Sequence, residues 1–286
     1  MPTAKEQIES SPQYQTLTSF TQFLTGDAAT RAELTSHITP TTPSTTISTY
    51  LETLWNSLLL IACQTEHTSL THLKLTTFLG RLQTESFPDE TSPPEYNDVP
   101  FSWSQLPDLN IYIRDWYNFS PPFTTSSSSS PLNGLTFEAK EWINFNAFLA
   151  NLTKSSLTNT DPDVDTKPTD YSLYAIWSLR CLEVDAGTIS QVDVADLQTA
   201  AVWIAIVGKE IYKLCKEERK YDGNLARGGD AYQDRGWKGF NMERWAIWEK
   251  AFEEALEIVQ EGEDIKLIRS VRQAGVTMRL LATSEH

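Results

Sequence analysis

A chain of 286 residues, 40% hydrophobic and 21% charged, is long enough and apolar enough to bury a sizeable core, which excludes a fully disordered polymer. Its 38 Asp and Glu against 23 Lys and Arg give a formal charge of −15, a field that repels phosphate backbones and anionic lipid surfaces. Neither nucleic acid nor a membrane is expected as a partner.

The first fifteen residues mix Lys5, Glu6 and Glu9 with polar side chains and offer no apolar run of the kind that opens a secretory leader. The longest apolar runs, Leu58–Cys63 and Ala200–Val207, are far shorter than the ~20 residues a spanning helix needs, so the cytoplasm is the default compartment. Tyr14, Leu17, Phe20 and Leu24 share one helical face, and a short helix over 28–37 follows. After Pro40 and Pro43, Ser44 is placed to cap a helix carrying Ile47, Leu51, Leu54, Trp55, Leu58, Ile61 and Ala62. Leu70, Leu73, Phe78 and Leu82 mark the inner face of its antiparallel successor.

From Phe87 to Pro107 five prolines among acidic residues favour an extended loop, anchored by Trp103 and Leu106. An amphipathic piece over 109–119 leads into a Ser/Pro-rich linker at 120–134. The expected organisation is an N-terminal helical subdomain over 1–119 and a Trp-rich helical subdomain over 135–286, packed as one globular unit. Beyond the Asn133-Gly134 turn, Trp142, Phe145, Phe148, Leu149 and Leu152 form a helical stripe, and a non-periodic acidic stretch over 155–169 follows. Asp170 is placed to cap a helix reaching Ala186, with Gly187 to end it; inside it, Arg180 and Glu183 stand where they can pair at i and i+3.

Ser190 with Asp193 reads as a capping box opening the longest helix, whose inner side carries Leu197, Ala201, Ile204, Gly208, Ile211 and Cys215; Ala201, Ala205 and Gly208 would admit a close neighbour. Its recurring Lys209, Lys213, Lys216 and Lys220 alternate with Glu and read as a solvated face. A loop over 221–239 is followed by a helix capped by Asn241, with Phe240 as a staple on Trp245, that runs to Gly262. A last helix over 264–281 carries Arg269, Arg272 and Arg279. With no period-two alternation and no fixed repeat, the fold class is all-α, an irregular multi-helix bundle rather than a repeat solenoid, with Pro/Ser-rich loops between its helices.

The chain carries no hydrolase, metalloprotease, phosphate-loop or dinucleotide fingerprint. Cys63 and His67 stand one turn apart with His72 beyond, but two ligands on one helical face do not make a site, so neither metal nor cofactor is expected. Cys63, Cys181 and Cys215, odd in number and set in apolar patterns, read as reduced core thiols. Arg227-Gly228-Gly229-Asp230 has the composition of an anion nest, yet ordinary turn chemistry explains it. The nine tryptophans are the most unusual feature, and six fall beyond residue 140. Trp142, Asn146, Arg180, Glu183, Trp203, Glu243, Arg244 and Trp248 are the candidate binding or buried polar cluster; aromatic walls around a few fixed polar groups form either a core or a ligand pocket.

Four stretches carry a family resemblance: Glu141-Trp142-x-Asn144-x-Asn146-Ala147-Phe148-Leu149-Ala150; Ala175-Ile176-Trp177-Ser178-Leu179-Arg180-x-Leu182-Glu183; Ala200-Ala201-x-Trp203-Ile204 with Gly208 and Tyr212; and Phe240-x-x-Glu243-Arg244-Trp245-x-x-Trp248. Together with Trp103-Ser104-x-Leu106-Pro107 and Arg114-Asp115-Trp116, the sequence resembles the fungal family known as domain of unknown function 3632, over most of the chain beyond Trp55. The resemblance implies a filamentous-fungal source and a helical fold, and brings no activity, cofactor or catalytic residue with it. The function expected from the sequence is a non-catalytic helical interaction module with a protein partner. The alternative is a small-molecule-binding protein or enzyme of specialised metabolism using an aromatic pocket.

Overall fold

The computed structural model describes residues 4–87, 92–118, 138–159, 167–258 and 265–283. The Ser/Pro-rich linker at 120–134, the Asn133-Gly134 turn and Gly262 lie outside them. Among the described residues the chain folds into eleven α-helices and a single two-stranded hairpin, in two compact units, residues 1–145 with 159–168 and residues 146–158 with 169–286. No described helix is long and apolar enough to cross a membrane.

The first unit holds α1 (Ala4–Glu9), α2 (Pro12–Thr21), α3 (Asp27–Ser36), α4 (Ser44–Gln64), α5 (Thr71–Leu82) and α6 (Leu109–Asn118). α4 is its central element, and every apolar position predicted for it is buried. Pro43 rather than Ser44 occupies its cap position, in extended geometry at φ −62° and ψ 145°, and with no side-chain acceptor it makes no capping hydrogen bond. Trp55 donates its indole N–H to the Pro107 carbonyl at 2.7 Å, and Trp116 donates to Asn56 Oδ1 at 2.7 Å, so both indoles are satisfied inside the core. In the proline-rich stretch, expected to be an extended loop, β1 (Glu95–Tyr96) and β2 (Val99–Pro100) pair antiparallel. Asn97 and Asp98 make the turn between them at φ 52° and 64°, a left-handed conformation those two residue types tolerate.

Two expected core faces are rotated. α2 stops at Thr21 and Phe23 turns left-handed at φ 61°, which carries Leu24 off the apolar stripe to 72% exposure. On α5 the buried face is His72, Leu75, Thr76, Phe78, Leu79 and Leu82, so Leu70 and Leu73 stand outside.

α7 (Ala139–Thr158) begins in the first unit and continues, from Asn146, in the second. The second unit adds α8 (Ser172–Leu179), α9 (Val194–Lys216), α10 (Met242–Ile258) and α11 (Ile265–Thr283), with α11 packed along α9 and α10. The predicted inner side of α9 is buried throughout; a Cβ at Gly208 would make ordinary contact with Thr277 of α11 at 3.6 Å, so the approach expected there does not depend on the glycine, and Ala205 faces outward. α9 bends at Val207 (φ −128°, ψ 17°), one residue before that glycine. Asp193 caps the helix itself, accepting from the Ala195 N–H at 2.8 Å, in place of the expected Ser190 box.

Candidate functional site

The helix expected to run to Ala186 ends early. α8 gives way to a 3₁₀ turn at Arg180–Leu182, and Glu183 leaves helical geometry at φ −90°, ψ 61°. The pairing of Arg180 with Glu183 expected at i and i+3 is not formed. Glu183 pairs instead with Arg244 on α10, Nε to Oε1 at 2.7 Å, with both side chains 0% exposed.

A carboxylate and a guanidinium taken out of water each lose several kcal/mol of solvation, so the pair persists only if the remaining donors and acceptors are filled. They are filled. Trp248 donates its indole N–H to Glu183 Oε1 at 2.9 Å, and the Gly229 N–H donates to Oε2 at 2.5 Å. Arg244 Nη1 donates to the carbonyls of Ala226 (2.8 Å) and Gly239 (3.0 Å), and Nη2 to Arg227 O at 3.4 Å. The guanidinium carbon also lies 5.2 and 5.5 Å from the ring centroids of Trp237 and Trp248. α10 presents Arg244 in this register because Asn241 caps the helix, its Oδ1 accepting the Arg244 backbone N–H at 2.9 Å. Phe240 sets its ring edge-on to Trp248, at 6.3 Å, while Trp245 meets Tyr212 at 4.9 Å.

The partners of Arg244 define what the cluster holds: the segment between Arg219 and Phe240. The two ends of that segment meet in a bridge, Phe240 N to Arg219 O at 2.9 Å and Tyr221 N to Lys238 O at 2.8 Å. The approach is so close that a Cβ on Gly239 would fall 1.9 Å from Arg219 O, and one on Gly229 2.8 Å from both Arg180 O and Glu183 Cβ. Arg180 itself serves the same segment, Nη2 donating to Leu225 O at 3.0 Å beside the Trp177 indole at 2.7 Å. Glu243 faces it from α10, accepting from Arg235 (3.1 Å) and from Trp237 Nε1 (3.2 Å). At the segment's start Arg219 pairs with Asp170 at 2.6 Å, and the Tyr221 hydroxyl meets Ser172 Oγ at 2.7 Å.

Asn146 and Trp203 form a second buried knot: Asn146 Oδ1 accepts from Trp203 Nε1 and from Ser178 Oγ, each at 3.0 Å, tying α7, α9 and α8. Trp142 belongs to the first unit, where it packs on Tyr117 (4.9 Å) and Phe145 (5.9 Å). Of the eight sequence candidates, then, Arg180, Glu183, Glu243, Arg244 and Trp248 converge on one loop, Asn146 and Trp203 on another contact, and Trp142 stands apart. The residues the sequence reading missed are backbone groups, the Gly229 N–H and the Ala226, Arg227 and Gly239 carbonyls. The Gly-rich 227–230 motif was their signal, since the anion its N–H faces is the protein's own Glu183.

Chemically, the Glu183 carboxylate accepts three hydrogen bonds, one of them from the guanidinium, and is wholly buried, so a substrate reaches it only if the loop opens. The nearby thiol of Cys215 is pushed up to about 12 by burial, against the opposing pull of Arg244, so it stays protonated near neutrality. Among the described residues no three His, Cys, Asp or Glu side chains come together as a metal site; His72 instead turns Nε2 to the Ala62 carbonyl at 3.0 Å. Beside the loop lies a cleft of about 50 Å³ between Leu182, Ile189, Tyr232 and Ala251, with room for little more than a water or two. A family model described as "Protein of unknown function (DUF3632)" matches residues 55–252, while no curated protein and no solved structure matches the chain.

Proposed function

We propose a non-catalytic, protein-binding role for this chain, which belongs to the family described as protein of unknown function (DUF3632). The observation that carries the proposal is a patch of large apolar side chains at the surface of the first unit: Phe23 is 78% exposed, Leu70 76% and Leu73 49%, beside Leu24. Scattered exposed leucines are ordinary, but Phe23 and Leu24 line one groove together with Lys74, Thr77 and Arg81 of α5, the helix whose start carries the exposed Leu70 and Leu73, and such a surface is the kind that partners cover. The aromatic cluster of the second unit supports the same reading from the other side. Trp203, Trp245, Trp248 and Arg244 are packed shut, so the alternative of a small-molecule pocket walled by them requires a loop opening that breaks the Glu183–Arg244 pair. The three thiols, free of disulfides, suit a reducing intracellular compartment, and a fungal source accords with the family resemblance.

The test is purification under native conditions from the source organism, followed by native mass spectrometry of wild type and a Phe23→Gly, Leu73→Ser variant. A stoichiometric protein partner present with wild type and absent with the variant is expected. A small molecule of a few hundred daltons bound at unit stoichiometry would overturn the reading.

A further inference from the structure

We infer that the groove between the end of α2 and the outer face of α5 receives an acidic segment of a partner protein that inserts a bulky apolar side chain; this rests on the protein-binding reading above. The groove has a volume of about 490 Å³ and is lined by Phe20, Phe23, Leu24, Lys74, Thr77 and Arg81, together with 25–27. Its wall is a costly construction. The helix ends with the Leu24 N–H reaching back to Ser19 O (2.9 Å) and the Phe23 N–H to Phe20 O (3.1 Å), which sets Phe23 at φ 61° where glycine is the usual residue. An aromatic residue there is strained, and its ring, three-quarters exposed, gains little burial in return. Lys74 holds the ring in place: its ammonium lies 3.6 Å from the Phe23 centroid and 4.3 Å from that of Phe20, and it donates to the Phe20 carbonyl. Leu70 and Leu73, one helical turn before Lys74 and Thr77, are also exposed.

Charge selects the occupant. The lining carries Lys74 and Arg81 against one carboxylate, Asp27, which Arg31 Nε meets at 3.0 Å and Arg81 Nη1 at 3.1 Å, so the balance of charge beside the rings is positive. On a chain of net charge −15 a long polyanion or an anionic membrane is repelled by the whole molecule. A short acidic segment feels mainly what lies within a Debye length of ~8–10 Å. Such a segment is attracted here and turned away elsewhere, which gives the patch both affinity and orientation.

The experiment is selection of a random-peptide display library on the full-length protein, with enriched peptides measured by fluorescence anisotropy. Enrichment of acidic peptides carrying Leu, Phe or Trp is expected. Their binding should weaken about tenfold in a Lys74→Gln, Arg81→Gln variant, disappear in Phe23→Gly, which preserves the helix end, and fall with added salt. No enrichment, enrichment of basic peptides, or binding that ignores all three substitutions would overturn the inference. So would Phe23-dependent binding to phosphatidylserine vesicles, or Phe23-dependent self-association in sedimentation, each assigning the groove to another occupant. If the native complex survives in the groove variants, the protein-binding role stands and this groove is wrong; if no complex forms with wild type, the role itself falls.

Discussion

Arg244→Ala tests whether the buried pair is a structural latch. The substitution removes a 2.7 Å ion pair whose members are both 0% exposed, and strands the Glu183 carboxylate with only Trp248 and Gly229 as donors. Breaking one side of such a pair costs about 3–5 kcal/mol. The carbonyls of Ala226 and Gly239 lose their donor as well, at about 1 kcal/mol each where water does not reach them, so the upper half of that range is the better expectation. At roughly 2–4 °C per kcal/mol for a chain of this size, the unfolding midpoint should fall by about 8–20 °C. Thermal and urea unfolding followed by tryptophan fluorescence measures it. Trypsin supplies the local readout, because Lys220, Arg227, Arg235 and Lys238 lie in or beside the released loop and should be cut first. Replacing both partners together, Glu183→Leu with Arg244→Met, should recover much of the loss, since an apolar pair carries no stranded charge. A midpoint shift of no more than about 2 °C for Arg244→Ala, near the effect of 1 kcal/mol, would refute the latch and return Arg244 to the list of ligand-binding residues.

Gly229→Ala should destabilise by about 1–3 kcal/mol, because its Cβ meets Arg180 O and Glu183 Cβ at 2.8 Å; an unchanged urea midpoint would contradict that packing. Burial lowers the His72 imidazole to about 4, so the unfolded chain binds more protons between about pH 6.5 and 4; this contribution is intact above that window and lost on acidification, by about 3 kcal/mol in all. His72→Gln, which keeps a nitrogen donor for Ala62, should show a correspondingly shallower acid loss when urea midpoints are compared from pH 7 to pH 4.5. The thiols of Cys63, Cys181 and Cys215 are all pushed up, chiefly by burial, so a thiol-reactive reagent at pH 7.5 should label the folded protein slowly and the urea-unfolded chain at once. Phe23→Gly should leave stability unchanged or raise it by about 0.5–1 kcal/mol, relief of the left-handed strain outweighing the lost contact with Lys74; a clear loss would show that the ring is structural.

Helical periodicity carried much of the architecture. The inner faces of α4, α7 and α9 were legible because their apolar residues recur over three turns or more, long enough for phase errors to average out. α2 and α5 are shorter, and there a single turn decides the phase: the left-handed Phe23 removes Leu24 from its stripe, and the burial of His72 and Thr76 rotates Leu70 and Leu73 outward. The polar cluster was legible as a set of residue types but not as a set of partners. Arg180 and Glu183 look like neighbours on a helix, but the helix ends between them and the Glu183 carboxylate turns to Gly229 and Arg244 instead. The hairpin at Tyr96–Val99 was hidden because its strands are two residues long and one ends in proline.

Among the described residues, the Glu183–Arg244 pair and Phe23 both depart from the rules by which a sequence favours its own fold, and they do so differently. The Glu183–Arg244 pair puts two charges where water cannot reach, yet its main donors and acceptors are met by Trp248, Gly229, Ala226 and Gly239, and the return is a closed 219–240 loop. Phe23 takes a backbone conformation that disfavours it and exposes its ring to water, and neither Lys74 nor the helix end requires an aromatic residue to do so. A violation that the surrounding structure compensates explains itself as architecture. One whose only return in the folded chain is a cation–π contact with Lys74 is what the proposed docking role would explain. By that argument the buried charges belong to the architecture of the second unit, and the exposed Phe23 ring is the proposed docking point of the first.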